Sequence, residues 1–354
     1  MTAKRVGVGV IGTGFGTRIL APAFAGAPGA ELRAICSAHL ERARAAAQEL
    51  KVEFATDDYL SLVARHDVDL VCVAAPPALH HPMVLAALEA GKHVFCEKPF
   101  ALDLTQAREM LDAARARGSL HFLDFEFRTQ PARRELRRRI RAGELGTIQH
   151  VEIAAMVDGR AFPVLNRHGW WHRRECGGGW LGAMGTHFID ALRDWLGEIR
   201  EVSAHLEIAR PLLAPASGSE PLEVTVDDGF ILRLRCESGA LCSVSSSSFP
   251  RHSPGQRIEC YGTEGSALIL EDRELHLGRA DGGWERVALE ALAAGDSHPS
   301  RGPLGAWARE VIAAIQAGKQ LAPSFEDGLR CQAVVDAGHR SHAQAGRWVA
   351  VEQV

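Results

Sequence analysis

Three short stretches of this sequence carry residue types whose spacing can do chemistry. The first is Val10-Ile-Gly12-Thr13-Gly14-Phe15-Gly16-Thr17. Gly12 permits a tight turn, Gly14 lets backbone approach a pyrophosphate, and the N–H groups opening a following helix hold negative charge. The third glycine of G-x-G-x-x-G is replaced by Thr17, with Gly16 one place earlier. The second stretch is Glu97-Lys98-Pro99, which ends an apolar run through Cys96. The third is Gly177-Gly-Gly179…Gly185-Thr186-His187-Phe-Ile-Asp190. Its glycines let backbone pack closely, and His187 and Asp190 fall one turn apart on a helix starting near Gly185. His187 reads either as a satisfied structural histidine or as a proton-transfer group with a suitable near-neutral pKa. Trp170, Trp171 and Trp180 either stack on a sugar or pack.

The nucleotide follows from the second strand. A site for NAD ends that strand in Asp or Glu, which accepts from the ribose 2′-OH. Here the place reads Ile35-Cys36-Ser37-Ala38-His39, with no carboxylate. Ser37 can hydrogen-bond a 2′-phosphate, and Arg42, one turn into the next helix, can add positive charge. The expectation is NADP in preference to NAD. Ala75, Pro76 and His80, at the end of the central strand, occupy the place where ligands bind in sheets of this kind.

These motifs need elements to hold them. Over the first ~125 residues, short apolar runs (Arg5–Ile11, Glu31–Cys36, Leu70–Ala74, His93–Cys96, Leu120–Phe125) alternate with helical stretches (Ile19–Ala25, Leu40–Leu50, Pro82–Ala90, Leu104–Arg117). That rhythm predicts right-handed βαβ units and a doubly wound parallel sheet. After a helix at Pro131–Ala142, strands predominate: Ile148–Met156, Val202–Ile208, Leu222–Arg235, Ala240–Ser247, Gln256–Tyr261, Ala267–Leu270 and Glu274–Leu277. They read as an antiparallel sheet joined by glycine turns. Leu213–Pro221 reads as a mobile loop, and Ser245–Ser248 as strand with a solvated or cleft-lining face. Helices at Leu304–Ala317 and Phe325–Ala345 and a strand at Trp348–Val351 close the chain. The expected division is a dinucleotide-binding α/β domain over 1–125 and an α+β substrate domain over 126–354, with the closing helices packing back on the first.

Composition excludes other classes. At 354 residues, 46% hydrophobic and 24% charged, the chain has the make-up of a globular protein. Its net charge of -4 gives no footprint for nucleic acid or an anionic membrane, and no apolar run reaches the ~20 residues of a membrane span. The N-terminus reads as a first strand, not a signal peptide. The 8 cysteines are scattered, without Cys-x-x-Cys or zinc spacing, so reduced thiols in the cytoplasm and no metal are expected.

Taken together, the glycine turn, Ala90-Gly-Lys-His-Val-Phe-Cys-Glu-Lys-Pro99, Gly177-Gly-Gly…Gly185-Thr-His187-Phe-Ile-Asp190 and Ala345-Gly-Arg-Trp-Val349 resemble the glucose–fructose oxidoreductase / inositol dehydrogenase / rhizopine-catabolism (Gfo/Idh/MocA) family, in order and over nearly the whole chain. The resemblance implies a Rossmann domain, then an open-faced sheet domain that mediates homodimer or homotetramer contacts. It implies a nicotinamide cofactor and hydride transfer at a hydroxyl or carbonyl carbon of a sugar or cyclitol. It places Lys98 beside the reacting oxygen and gives His187 the acid/base role. The cofactor set is then Gly12, Thr13, Gly14, Phe15, Gly16, Ser37, Arg42, Ala75, Pro76, His80, Glu97 and Lys98; the substrate set is Glu126, Arg128, Trp171, Thr186 and His187. One departure stands out: many family members carry Asp one turn before the histidine, where this chain has Ala183. Asp124, Glu126 and Arg128, alternating along a strand opposite Phe125 and Phe127, are the expected source of a substitute carboxylate. Two other functions fit the same motifs: a cofactor-binding sensor without catalysis, and a redox-neutral glycosidase using NAD transiently.

Overall fold

The computed structural model describes residues 5–159, 163–279, 282–290 and 300–354. It forms two compact units, one of Met1–Thr129 with Ala293–Leu329, the other of Gln130–Leu292 with Arg330–Val354. The sequence reading placed a boundary at 125/126 with the closing helices packing back on the first domain; the first unit runs to Thr129 and includes Ala293–Leu329.

In the first unit, β1 (Val6–Ile11), β2 (Ala30–Cys36), β3 (Phe54–Thr56), β4 (Leu70–Val73), β5 (His93–Cys96) and β6 (His121–Leu123) form one sheet in the order β3-β2-β1-β4-β5-β6. Every pairing is parallel. This is the dinucleotide-binding strand order, with its switch of direction at β1 and β4. All six residues of β1 are buried, as a strand covered on both faces requires. The crossover helices are α1 (Ala21–Ala25), α2 (Leu40–Leu50), α3 (Tyr59–Val63), α4 (His80–Glu89) and α5 (Leu104–Arg117). Asp58 accepts from the Leu60 and Ser61 N–H groups and so caps α3; Asp103 caps α5 by accepting from Gln106 N–H at 2.9 Å. The sequence reading passed over β3 and α3, each only 3 to 5 residues long.

The second unit opens with α6 (Pro131–Arg141) and β7 (Ile148–Met156), followed by α7 (Thr186–Leu196) and β8 (Ile199–Glu207). The expected strand at Leu222–Arg235 is divided. Leu222–Glu223 (β10) pairs with β9 (Leu212–Leu213) in a small hairpin, and β11 begins only at Gly229, running to Cys236. So the segment read as a loop from Leu213 is flanked by paired residues. The polar pair Asp227-Asp228 is what interrupts the apolar run. With β12 (Leu241–Ser247), β13 (Gln256–Gly262), β14 (Gly265–Leu270), β15 (Glu274–Arg279), β16 (Trp284–Arg286) and β17 (Val349–Ala350), the main sheet has nine strands in the order β16-β15-β14-β13-β7-β12-β11-β8-β17. All pairings are antiparallel except β12 with β7. Side chains alternate: Phe230, Leu232 and Leu234 point inward, while Ile231, Arg233 and Arg235 point to solvent. The tetraserine is mostly interior rather than solvated, and Ser248 lines a pocket, as the cleft-lining alternative has it. Ser246, Ser247 and Ser248 are buried, and Ser246 accepts from the Trp180 indole N–H at 2.9 Å while donating to the Ala155 carbonyl at 2.7 Å. Two helices complete the chain: α8 (Arg301–Ala317) within the first unit, and α9 (Phe325–Ala343), which starts in the first unit and ends in the second.

Candidate active site

The glycine turn follows directly from β1. Gly12 has φ +117°, and a Cβ there would lie 2.2 Å from the Ala74 carbonyl oxygen, so no other residue fits. Above Gly14 a Cβ would meet nothing within 4 Å: the space where a phosphate would come is open. Gly16 opens a wide π-type turn, Gly16–Leu20, that runs on into α1. The turn is tied to the tip of β2. Gly12 N–H donates to the Cys36 carbonyl at 2.8 Å, and the Thr13 and Ser37 hydroxyls lie 2.8 Å apart. These residues therefore fit a dinucleotide on the chain's own geometry. Arg42, near the start of α2, is exposed and makes no ion pair among the described residues.

The second cluster sits at the ends of β4, β5 and β6. His80 is fully buried; its Nε2 is 2.9 Å from the Ala75 carbonyl and its Nδ1 is 3.1 Å from that of Pro99. It clasps the loop after β4 to the loop carrying Lys98, and burial pushes its pKa down. Glu97 is buried and accepts from the Lys98 N–H at 3.3 Å, while Lys98 itself is half-buried. The alternating strand expected over Asp124–Arg128 does not form. β6 ends at Leu123; Asp124, Phe125 and Glu126 are all buried, and Glu126–Thr129 is a 3₁₀ turn. The turn is pinned by the Thr129 hydroxyl, 2.7 Å from the Glu126 carbonyl and 2.6 Å from that of Pro303. Glu126 thus joins Glu97 and Lys98, whereas Arg128 is turned to an ion pair with Asp327 at 2.8 Å. Burial pushes the Glu126 carboxyl up to about 7, against the pull of Lys98.

In the second unit, Trp170 and Trp171 have ring centroids 4.9 Å apart on a 3₁₀ turn. A Cβ on Gly178 would lie 2.3 Å from the Trp171 carbonyl oxygen, which accounts for part of the glycine run. Trp180 is buried, so of the three tryptophans it packs. A second π-type turn, Leu181–Gly185, leads into α7, which carries Thr186, His187 and Asp190, all buried. The Thr186 hydroxyl donates to the Gly182 carbonyl at 2.8 Å, and Asp190 lies 3.9 Å from Arg193. Sequence reasoning missed the residue that holds this turn: Asp227, whose Oδ2 accepts from Leu181 N–H at 2.7 Å and whose carbonyl accepts from Trp180 N–H at 2.9 Å. Two adjacent acids inside a β-type run were the available signal. Asp227 is pushed up to about 7, chiefly by burial. With Trp171, His172, Arg210, Leu213, Asp228 and Ser248 it lines a pocket; burial and the neighbouring His168 and Arg210 charges bring His172 down to about 4. Among the described residues, no group of His, Cys, Asp and Glu is arranged to hold a metal ion, and no helix is long and apolar enough to cross a membrane.

Residues 6–125 match the model described as an oxidoreductase family with an NAD-binding Rossmann fold, and residues 133–268 match the GFO/IDH/MocA C-terminal domain. The levoglucosan dehydrogenase of Pseudarthrobacter phenanthrenivorans is 30% identical over 393 residues, covering 99% of both chains. The chain belongs to the Gfo/Idh/MocA family. Inositol 2-dehydrogenase of Rhizobium meliloti is 30% identical over 340 residues, covering 95% of this chain and 96% of that one. Among solved structures, levoglucosan dehydrogenase in complex with NADH and levoglucosan superposes with a TM-score of 0.88 at 29% identity, covering 99% of this chain and 100% of the other. The Gfo/Idh/MocA chain described here is accordingly a nicotinamide-dependent oxidoreductase with the dehydrogenase fold of its relatives.

Proposed function

We propose that this enzyme transfers hydride at a CH–OH carbon of a sugar or cyclitol, with Lys98 and His187 acting at the reacting oxygen. The observation that carries the reading is the half-buried lysine at the end of β5, backed by carboxyl groups and following a parallel sheet whose glycine turn is open above Gly14. A bound nicotinamide supplies the hydride acceptor or donor. Gly12, Thr13, Gly14, Phe15 and Gly16 hold the pyrophosphate; Ala75, Pro76 and Glu97 line the next strand ends, and His80 acts by fixing the loops. The Lys98 ammonium steadies negative charge as it develops on oxygen. The His187 imidazole receives or returns the hydroxyl proton, since a histidine's ordinary pKa lies near neutrality. Thr186, Trp171 and Glu126 complete the polyol contacts. The relatives' names, levoglucosan and inositol, supply the substrate class.

Four finer assignments belong to the same reading. NADP is preferred to NAD on the strength of Ser37, the exposed Arg42 guanidinium and the missing carboxylate, although the solved relatives carry NADH. Residues 1–125, with the closing helices packed back on them, form the cofactor domain, and the rest of 126–354 the substrate domain. The outward sheet face mixes charges with exposed Ile231, Leu241 and Tyr261 and serves a homodimer or homotetramer. All eight cysteines are free thiols, which fits the cytoplasm.

The test is turnover of levoglucosan, inositols and simple aldoses, followed at the nicotinamide absorbance. Lys98→Ala should lower kcat by about 10²–10³-fold with nucleotide affinity intact, and His187→Ala by about 10²–10⁴-fold. If the two belong to one relay, the double variant loses little more than the worse single. A His187→Ala enzyme within a few-fold of wild type, losing only stability, removes His187 from the chemistry.

A further inference from the structure

We propose that Arg18 is a clamp for the dinucleotide's pyrophosphate: its guanidinium, folded back onto the glycine turn, binds the phosphates together with the backbone N–H groups there. The proposal rests on the reading that Gly12–Gly16 holds the pyrophosphate. Arg18 stands just past the last glycine of the motif. In the turn Gly16–Leu20 its side chain runs back toward the N-terminus, as helical side chains do, and its Nε donates to the Gly14 carbonyl at 3.1 Å. Above Gly14 a Cβ would meet nothing within 4 Å, so the guanidinium is fixed at the rim of open space. Only Nε is used in this way; neither terminal nitrogen of Arg18 hydrogen-bonds another described residue. A guanidinium carries five N–H donors in a rigid fork, and the four on its terminal nitrogens suit phosphate oxygens. The other arginines of this unit differ. Arg33, Arg44, Arg65, Arg115 and Arg128 each meet a carboxylate, whereas Arg18 is exposed and makes no ion pair among the described residues.

Thr17 prepares the same ground. It occupies the place of the motif's third glycine, and its hydroxyl donates to the Thr13 carbonyl at 3.1 Å. In an α-helix, carbonyls so placed accept from the backbone four residues on; here the side chains of Thr17 and Arg18 reach them. Carbonyl oxygens left bare beside a diphosphate repel its charge, and these two are covered by donors. Arg301, the first residue of α8, donates from its guanidinium to the Arg18 carbonyl at 3.3 Å, so a segment 283 residues later ties down the clamp's own backbone. The departure at Thr17 and the arginine after it thus make one device. The glycines let the phosphates approach, the hydroxyl quiets a carbonyl, and the guanidinium supplies the charge. Arg42, on α2, is assigned to a different group, the 2′-phosphate, so the two arginines make separable claims.

Titration calorimetry of the full-length protein with NADH, NADPH and ADP-ribose reads binding without turnover. Each probe carries the diphosphate, so Arg18→Ala should weaken all three by a similar factor of about tenfold, the worth of one charge-assisted contact at an exposed site. The loss should shrink in 1 M salt, where charges are screened beyond about 3 Å. Arg18→Lys should recover part of the affinity. Arg18→Gln, which keeps a donor for the Gly14 carbonyl but no charge, should recover none; full recovery there means that Arg18 only props the turn, and overturns the clamp. A loss confined to NADPH places Arg18 at the 2′-phosphate and overturns it as well. If Gly12→Ala weakens NADH binding while Arg18→Ala does not, the clamp alone falls. If Gly12→Ala leaves NADH binding unchanged, the reading of the turn falls and takes the clamp with it.

Discussion

The two glycine-rich turns of this enzyme, Gly12–Gly16 and Gly177–Gly185, use one local design for opposite ends. Each leads through a wide π-type turn into a helix, Gly16–Leu20 into α1 and Leu181–Gly185 into α7. The helix entrance in the first turn is bound at its flank by hydroxyls, Thr13 and Ser37, and left open above Gly14. In the second it is closed by the chain itself: the Asp227 carboxylate takes the Leu181 N–H that an external anion would otherwise take. Helix entrances attract negative charge whatever its source. Whether such a turn binds a ligand is therefore decided by whether a distant residue has already filled it, which the turn's own sequence does not reveal.

Breaking each turn separately should expose this contrast. Gly12→Ala forces a side chain into positive φ and against the Ala74 carbonyl; local strain of about 1–3 kcal/mol should weaken nucleotide binding by roughly 10–100-fold, measured by titration calorimetry. Asp227→Ala strands the buried Leu181 N–H and should cost about 1–3 kcal/mol of stability in denaturant melts, with nucleotide affinity unchanged. Weakened nucleotide binding in that variant would erase the distinction drawn above.

A pH effect sharpens the comparison. Asp227 is raised to about 7 from 3.8, so the folded chain holds a proton that the unfolded chain releases. Stability from this group is complete below pH ~4 and is lost as pH rises toward 7, by up to about 1.4 kcal/mol per pH unit. Asp227→Asn, which keeps an acceptor for Leu181, should flatten that decline in urea melts run at pH 5, 6 and 7. The smallest effect belongs to the first turn: Ser37→Asp should shift the NADPH-to-NADH ratio of dissociation constants toward NADH by about tenfold, the worth of one charged contact near 1.4 kcal/mol. An enzyme that already binds NADH as tightly as NADPH would remove the basis for that preference.

The parallel sheet was legible because its strands are buried on both faces and its motifs are local. Val6–Ile11, His93–Cys96 and Leu104–Arg117 read directly from apolar runs and glycine stops. Asp124–Arg128 was misread because a period of two over five residues is satisfied equally by a strand and by a turn that buries Asp124, Phe125 and Glu126 in succession. Only the Thr129 bonds to the Glu126 and Pro303 carbonyls, the latter 174 residues away, decide between them. Asp227 was overlooked for a related reason: its partner, Leu181, lies 46 residues earlier. Ser37 and Thr13, 24 residues apart, meet because successive strands of a βαβ unit pair, and that much the motif did contain.

The return of α8 to the first unit bears on how the chain is made. Leu304, Trp307, Val311 and Ile312 are part of the same apolar cluster as Val8, Phe24 and Phe95, and the Trp307 indole donates to the Leu123 carbonyl, 184 residues upstream. At ribosomal rates of 5–20 residues per second, roughly 10–40 s separate synthesis of β6 from that of the helix that covers its sheet. For that interval the nascent cofactor-binding half has an apolar groove with nothing in it. Released alone, a fragment ending at Thr129 keeps that groove, a surface for chaperones or for aggregation until α8 arrives to fill it.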